Sequence, residues 1–231
     1  MNYNKIAGQY DSFEKTAVDV WKIGYPAVLG LLGNVENRQV LDYGCGSGTF
    51  SRFLAEQGAI VTGVDVSLEM INVAKKDNPN NIQYHHITSG DTGFLPAATF
   101  DQAVANFVLC TIPTKAEIRK IMESVRRILK KEGKLVIMNA NWERSNGKEF
   151  ASFKMEYCDD LSSGKPVTAT IKSDPPMLMK DFFWSKQDYL RMLESTGFHI
   201  QAIDEPVAQD DQIAWMDEKN FPPYLVIGAI K

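Results

Sequence analysis

Apolar residues along this chain follow two rhythms, and the changes between them mark the elements. Between residues 114 and 131 they recur at helical spacing (Ile118, Ile121, Met122, Val125, Ile128, Leu129), which predicts the clearest helix, ended by Gly133. Shorter apolar runs predict buried strands: Val40 and Leu41 leading into Asp42, residues 60–64 leading into Asp65, then 82–87, Phe100–Asn106 and 134–138. Helical stripes lie between them. Phe50, Phe53 and Leu54 follow the first strand, while Met70, Ile71 and Ala74 follow the second, with Ser67 as N-cap and Glu69 in the first turn. Residues 185–195 predict a late helix carrying Tyr189, Leu190 and Leu193, and 198–203 and 224–230 predict two last strands. Strands that alternate with helices in this way predict an α/β fold built on a parallel sheet.

Two stretches break the rhythm. Residues 139–183 hold Trp142, Phe150, Phe153, Tyr157 and three prolines (Pro166, Pro175, Pro176), with 167–171 as the candidate strand. A segment of this length between core elements is usually functional or disordered, and its aromatic content argues against disorder; it reads as a cap over an acceptor site. The N-terminal residues 2–37 place Tyr3 and Tyr10 about two helical turns apart, then Tyr25-Pro26 opens a short helix through Leu31 and Leu32. That segment either covers one end of the sheet or closes over a ligand. Residues 204–221 are acidic and predict an exposed loop.

The chemistry concentrates where the first strand turns into its helix. Asp42 is followed by Gly44, Gly46 and Gly48, and Asp65 ends the second strand 21 residues after Gly44. Glycine permits positive φ and lets backbone approach a ligand closely. A carboxylate at the tip of the second strand suits ribose hydroxyls. No lysine follows the glycines, so a P-loop is disfavoured. The third glycine comes one residue early for a dinucleotide fingerprint, and Asp42 would repel a pyrophosphate while suiting a ligand with a cationic end.

The pattern D-x-G-x-G-x-G at residues 42–48, with Asp65 beyond it, resembles the first motifs of class I S-adenosylmethionine-dependent methyltransferases. The resemblance implies a Rossmann-like, doubly wound seven-stranded sheet, mostly parallel with an antiparallel last strand and helices on both faces. It implies one domain over 1–231: a lid (1–37), a cofactor core (38–138), an acceptor cap (139–183) and a closing helix with strands (184–231). It also implies S-adenosylmethionine as cofactor, with S-adenosylhomocysteine as product. By that resemblance Asp42 steers the turn and the methionine ammonium, and backbone at Gly44 and Gly46 passes the methionine portion. Asp65 holds the ribose hydroxyls, Val66 and Met70 flank adenine, and Asp91 and Thr92 address its edge, with Ser89 as the competitor for that place. Asn106 and Phe107 contact the methionine backbone and face the methyl, and Tyr10 closes the lid. Gly44, Asp65, Asp91 and Asn106 all fall at the carboxyl ends of predicted strands, where open α/β sheets collect ligands.

The remaining composition narrows partners rather than chemistry. Net charge is −4 over 231 residues, which disfavours a large nucleic-acid footprint. Cys45, Cys110 and Cys158 are too widely spaced for a disulfide framework or zinc site, and His85 and His86 point to opposite faces of a strand, so no metal is expected. The absence of a signal peptide or membrane-length apolar run makes the cytosol the expected compartment and a membrane an unexpected partner. The aromatic irregular segments suggest a small, planar or apolar acceptor under Tyr10, Trp142 and Trp184. None of His85, His86 and His199 sits in a motif aimed at the methyl, so no catalytic base is assigned. Alternatives are a cofactor-binding protein without turnover, a macromolecular methyltransferase (against which the lack of an Asn-Pro-Pro-Tyr type motif after Asn106 counts), and a nicotinamide-dependent oxidoreductase.

Overall fold

The computed structural model describes residues 6–79, 82–210 and 212–231. Tyr3, Asn80, Asn81 and Asp211 lie outside the described residues. The chain opens with α1 (Ala7–Glu14), a π-helical turn (Val20–Gly24) and α2 (Tyr25–Leu32), the last carrying proline in its first turn. Alternation then sets in: β1 (Gln39–Tyr43), α3 (Thr49–Glu56), β2 (Ile60–Asp65), α4 (Leu68–Lys76), β3 (Gln83–His86), β4 (Phe100–Asn106), α5 (Lys115–Ile128) and β5 (Leu129–Ala140). A short α6 (Trp142–Ser145) leads to β6 (Phe153–Met155), β7 (Pro166–Ile171) and β8 (Met177–Phe182), and α7 (Lys186–Ser195), β9 (His199–Asp204) and β10 (Tyr224–Ile230) complete the order.

Seven strands form one sheet in the order β3-β2-β1-β4-β5-β10-β9. β10 is antiparallel to both neighbours, β5 and β9, and β1 to β5 pair in parallel. The direction of the chain reverses outward from β1, first toward β3 and then toward β5, so a crevice opens at the carboxyl ends of β1 and β4. Strand alternation divides the interior. Val40, Val61, Val104, Val136 and Val226 pack with residues of α2, α3 and α4 on one face; Leu41, Val64, Ala103, Leu135 and Ile227 pack with α5 and α7 on the other.

Local signals hold the helices in register. The Ser67 hydroxyl accepts from Met70 N at 3.2 Å, Thr114 accepts from Glu117 N at 3.2 Å, and Ser185 forms a capping box with Asp188. One boundary differs from the sequence expectation. Leu129 already has extended backbone and pairs with Phe100, so β5 begins there rather than at Lys134, and Glu132 takes φ +60° in an irregular stretch before the regular pairing resumes.

Residues 153–182, where one strand was expected, hold a second, three-stranded antiparallel sheet in the order β6-β7-β8. In β8 the inward Met177 and Met179 alternate with exposed Leu178 and Lys180, and the exposed leucine hides that alternation from a reading of hydrophobicity alone. This sheet is tied to the N-terminal segment by Asp19, a fully buried carboxylate that accepts from Ser152 N at 3.1 Å. Among the described residues, no helix is long and apolar enough to cross a membrane.

Candidate functional site

The carboxyl ends of β1, β2 and β4 line a cleft of about 920 Å³, open space included. Backbone geometry builds its floor. Gly44 N and Cys45 N both donate to Val64 O, at 2.7 and 3.0 Å, turning β1 sharply toward β2. Gly44 has φ +76°, and a Cβ there would collide with the Val108 side chain, so glycine is required on two counts. Asp65 then fixes the next step. Its Oδ2 accepts from Gly46 N at 2.9 Å and its Oδ1 from Ser67 N at 2.7 Å. A carboxylate clamped between two amides has a set orientation and still has lone pairs facing the cleft.

Nine of the eleven residues expected at a cofactor site line this cleft: Tyr10, Asp42, Gly44, Gly46, Asp65, Val66, Met70, Asn106 and Phe107. Asp91 and Thr92 do not. Gly90, at φ +72° with its N–H given to the Tyr43 hydroxyl at 2.8 Å, turns the chain away. Asp91 ends exposed, accepting from Gly93 N at 3.0 Å, and Thr92 is buried against α5, with Oγ1 2.6 Å from Ser124 Oγ. Ser89 takes the cleft position instead. The two tryptophans expected over the acceptor are also elsewhere. Trp142 is buried in the core beside the small sheet, and Trp184 sits in the α5/α7 core with Nε1 donating to Ile112 O at 3.0 Å. His85 rests its ring 5.0 Å from Phe94, while His86 Nε2 lies 3.1 Å from Val66 O, and His199 is exposed on the edge strand β9.

Glu14 is a charged cleft residue that the sequence reading missed. It accepts from the Tyr25 hydroxyl at 2.9 Å and from Ser47 Oγ at 3.2 Å, joining α1 to α2 and to the glycine turn. A signal was present: Glu14 is four residues after Tyr10 on one helix, hence on the same face. Asp42, buried, accepts from Ser51 Oγ at 2.6 Å. Burial pushes its carboxyl up to about 7; the Ser51 bond pulls down, and the charges of Glu14 and Asp65 push up. Burial also raises Glu14 and Asp65. Asp42 thus meets both burial and the charges of two neighbouring carboxylates, a strain that a cationic ligand relieves.

Asn106 adds a directional element. Both its amide atoms are buried and have no partner among the described residues, at the tip of β4 and facing the cleft. A donor and an acceptor held ready in this way fit a ligand that carries both kinds of group. Next to it Phe107 holds φ +56°, uncommon for an aromatic residue, with its N–H given to Met138 O at 2.7 Å. That conformation sets the ring 5.6 Å from Tyr224, between the cleft and a second cavity of about 650 Å³ under the small sheet. Tyr10, Glu14 and Phe107 wall both spaces.

Residues 41–137 match a family model described as a methyltransferase domain. The chain is 31% identical over 204 residues to N-demethylindolmycin N-methyltransferase of Streptomyces griseus, spanning 84% of this chain and 86% of that protein. The chain belongs to the class I S-adenosylmethionine-dependent methyltransferases. Demethylmenaquinone methyltransferase of Tropheryma whipplei (strain Twist) is 29% identical over 210 residues, covering 85% of this methyltransferase and 81% of the relative. The fold is shared with the crystal structure of an S-adenosylmethionine-dependent methyltransferase from Mesorhizobium loti, at TM-score 0.67 and 22% identity over 90% of this chain and 97% of that one. The family match runs from β1 to β5 and so contains Asp42, Asp65 and Asn106; the helix α1 and the small sheet of this methyltransferase lie outside it.

Proposed function

We propose that this methyltransferase moves a methyl group from S-adenosylmethionine to a small, largely apolar acceptor held under the small sheet. The observation that carries the proposal is that the carboxylate-lined cleft adjoins an aromatic cavity, the two sharing Tyr10, Glu14 and Phe107 as a wall. Two relatives, named for N-demethylindolmycin and demethylmenaquinone, act on small molecules, which agrees with an enclosed acceptor space.

The cleft residues fit the cofactor group by group. Asp65, aimed by Gly46 and Ser67 amides, accepts from the ribose hydroxyls. Val66 and Met70 pack on adenine, and Ser89 rather than Asp91 or Thr92 stands at its edge. Asn106 gives its unpartnered amide to the amino-acid end, and Asp42 with Glu14 supplies negative potential for the ammonium and the sulfonium. When bound, the cofactor supplies an activated methyl on a sulfonium, so the protein's task is alignment and exclusion of water. Tyr10 and Phe107 bring an apolar wall to the junction of the two spaces, and α1 closes over it.

Titration calorimetry with S-adenosylmethionine tests this reading. The wild type is expected to bind one equivalent at micromolar Kd, and Asp65→Ala to weaken binding roughly tenfold or more through lost charge-assisted hydrogen bonds. No binding to the wild type would overturn the proposal.

A further inference from the structure

The second cavity carries one charge that the methyl-donor site does not use. Asp181 lies on β8, two and four residues after Met179 and Met177, so it continues the inward face of an otherwise apolar strand. A carboxylate in that position breaks the hydrophobic pattern of the small sheet, and burying it costs free energy unless something compensates. Its surroundings offer little of that. Tyr10, Phe107, Phe153, Tyr224 and Met179 line the same cavity with rings and a thioether.

Among the described residues, the side chains that face Asp181 are neutral or negative, and the one positive influence on its carboxyl is the chain's amino terminus. The Cys110 thiol hydrogen-bonds to it, and burial holds that thiol well above its ordinary range, hence protonated. Burial likewise keeps the Tyr10 and Tyr189 phenols protonated. Glu14, across the cavity, has its oxygens committed to Tyr25 and Ser47. Among the described residues no lysine, arginine or histidine forms an ion pair with Asp181: Lys154, Lys165 and Lys172, in or beside the small sheet, pair with Glu156, Asp160 and Glu149, and Lys180 is exposed on the other face of β8. An acidic acceptor would meet repulsion here, and a neutral hydrocarbon would offer the half-buried carboxylate no counter-charge.

Resting on the function proposed above, we propose that Asp181 is the acceptor-selecting residue, and that it seats a basic nitrogen carried on an aromatic or apolar skeleton. The carboxylate supplies a directed ion pair, and the surrounding rings add cation–π attraction for the same ammonium. The pairing also prepares the nitrogen. In an apolar cavity an ammonium–carboxylate pair relaxes toward amine and carboxylic acid, one proton passing from nitrogen to a carboxylate oxygen of Asp181. Burial already favours the protonated acid by pushing Asp181 up to about 6. The nitrogen is left with a free lone pair, and the proton goes to solvent when the cavity opens.

Three compounds of one skeleton test the assignment: 2-phenylethylamine, 2-phenylethanol and 3-phenylpropionate. Each is titrated calorimetrically into the protein saturated with S-adenosylhomocysteine, and into Asp181→Asn in the same state. The amine is expected to bind at least tenfold more tightly than the alcohol or the acid, and Asp181→Asn to abolish that preference while S-adenosylhomocysteine still binds. Equal binding of the alcohol or acid to the wild type, no binding of any of the three, or a preference that survives in Asp181→Asn would overturn the proposal. The wild-type comparison decides alone if the variant does not fold. Should S-adenosylhomocysteine fail to bind while the amine preference and its loss in Asp181→Asn persist in the ligand-free protein, the donor reading falls and the role of Asp181 stands.

Discussion

Glu14 and Tyr25 are joined by a 2.9 Å hydrogen bond from the Tyr25 hydroxyl to Glu14 Oε1, and through it the first helix is pinned over the cleft. The bond links a half-buried carboxylate to a buried phenol eleven residues apart and gives α1 a fixed height above the glycine turn. Glu14→Gln keeps the shape and removes the charge. It is expected to weaken S-adenosylmethionine binding by about three- to tenfold, the order of one charge-assisted contact, in calorimetric titration. An unchanged Kd would remove Glu14 from the set of groups that meet the cation.

Two glycines of the same turn separate space from conformation. Gly44→Ala places a methyl in the Val108 side chain at φ +76°, whereas Gly46→Ala meets nothing within 4 Å at φ +52°. Gly44→Ala is expected to lose about 2 kcal/mol or more of stability and most cofactor affinity, and Gly46→Ala only about 1 kcal/mol. Urea unfolding of the two variants side by side checks the ranking.

Asp42 is expected to make S-adenosylmethionine binding pH-dependent. Its carboxyl stands at about 7 when folded, above its ordinary 3.8, so the folded protein keeps a proton that the unfolded chain sheds at lower pH. Ligand-free stability attributable to Asp42 is therefore full below about pH 4 and declines as pH rises through about 7, with Glu14 and Asp65 raised in the same direction. A cationic ligand prefers the ionised form. Affinity for S-adenosylmethionine is expected to rise about tenfold from pH 6 to pH 8, the ratio of ionised fractions for a group near 7, and Asp42→Asn to flatten that profile. Calorimetry at both pH values reads it directly.

The tryptophans give a prediction of opposite kind. Trp184→Phe removes a hydrogen bond to Ile112 O and is expected to cost about 1 kcal/mol or more in denaturant unfolding. Trp142→Phe removes a buried N–H that has no partner and is expected to be closer to neutral. Neither ring lines the aromatic cavity, so acceptor KM should not move in either variant.

The sequence carried the sheet and the placing of Asp42, Asp65 and Asn106 at one cleft because both depend on short-range pattern. Strand runs that end in Asp42, Asp65 and Asn106 place those residues at one edge once the strands are parallel, with no further information needed. Asp91 and Thr92 failed because a single turn at Gly90, stabilised by Tyr43 some 47 residues earlier, decides which side chain faces the cleft. The small sheet escaped for a related reason. β6 has three residues and the outer face of β8 presents Leu178, so neither gives a clean period of two. Asp181 and Glu14 become neighbours of one space only through tertiary packing, and aromatic content alone pointed to Trp142 and Trp184, which packing sends into the two cores.

Asp19 reaches from the segment after α1 to Ser152, at the edge of the small sheet, and Tyr10 with Glu14 walls both spaces. The segment after α1 and the edge of the small sheet are thus tied together and are expected to act as one latch. Filling either chamber steadies the latch for the other, so each ligand should tighten its companion by the same factor, as reciprocity of linked equilibria requires. A free thioether product would keep the latch shut on the methylated acceptor. Turnover would then be timed by the latch opening rather than by the transfer itself.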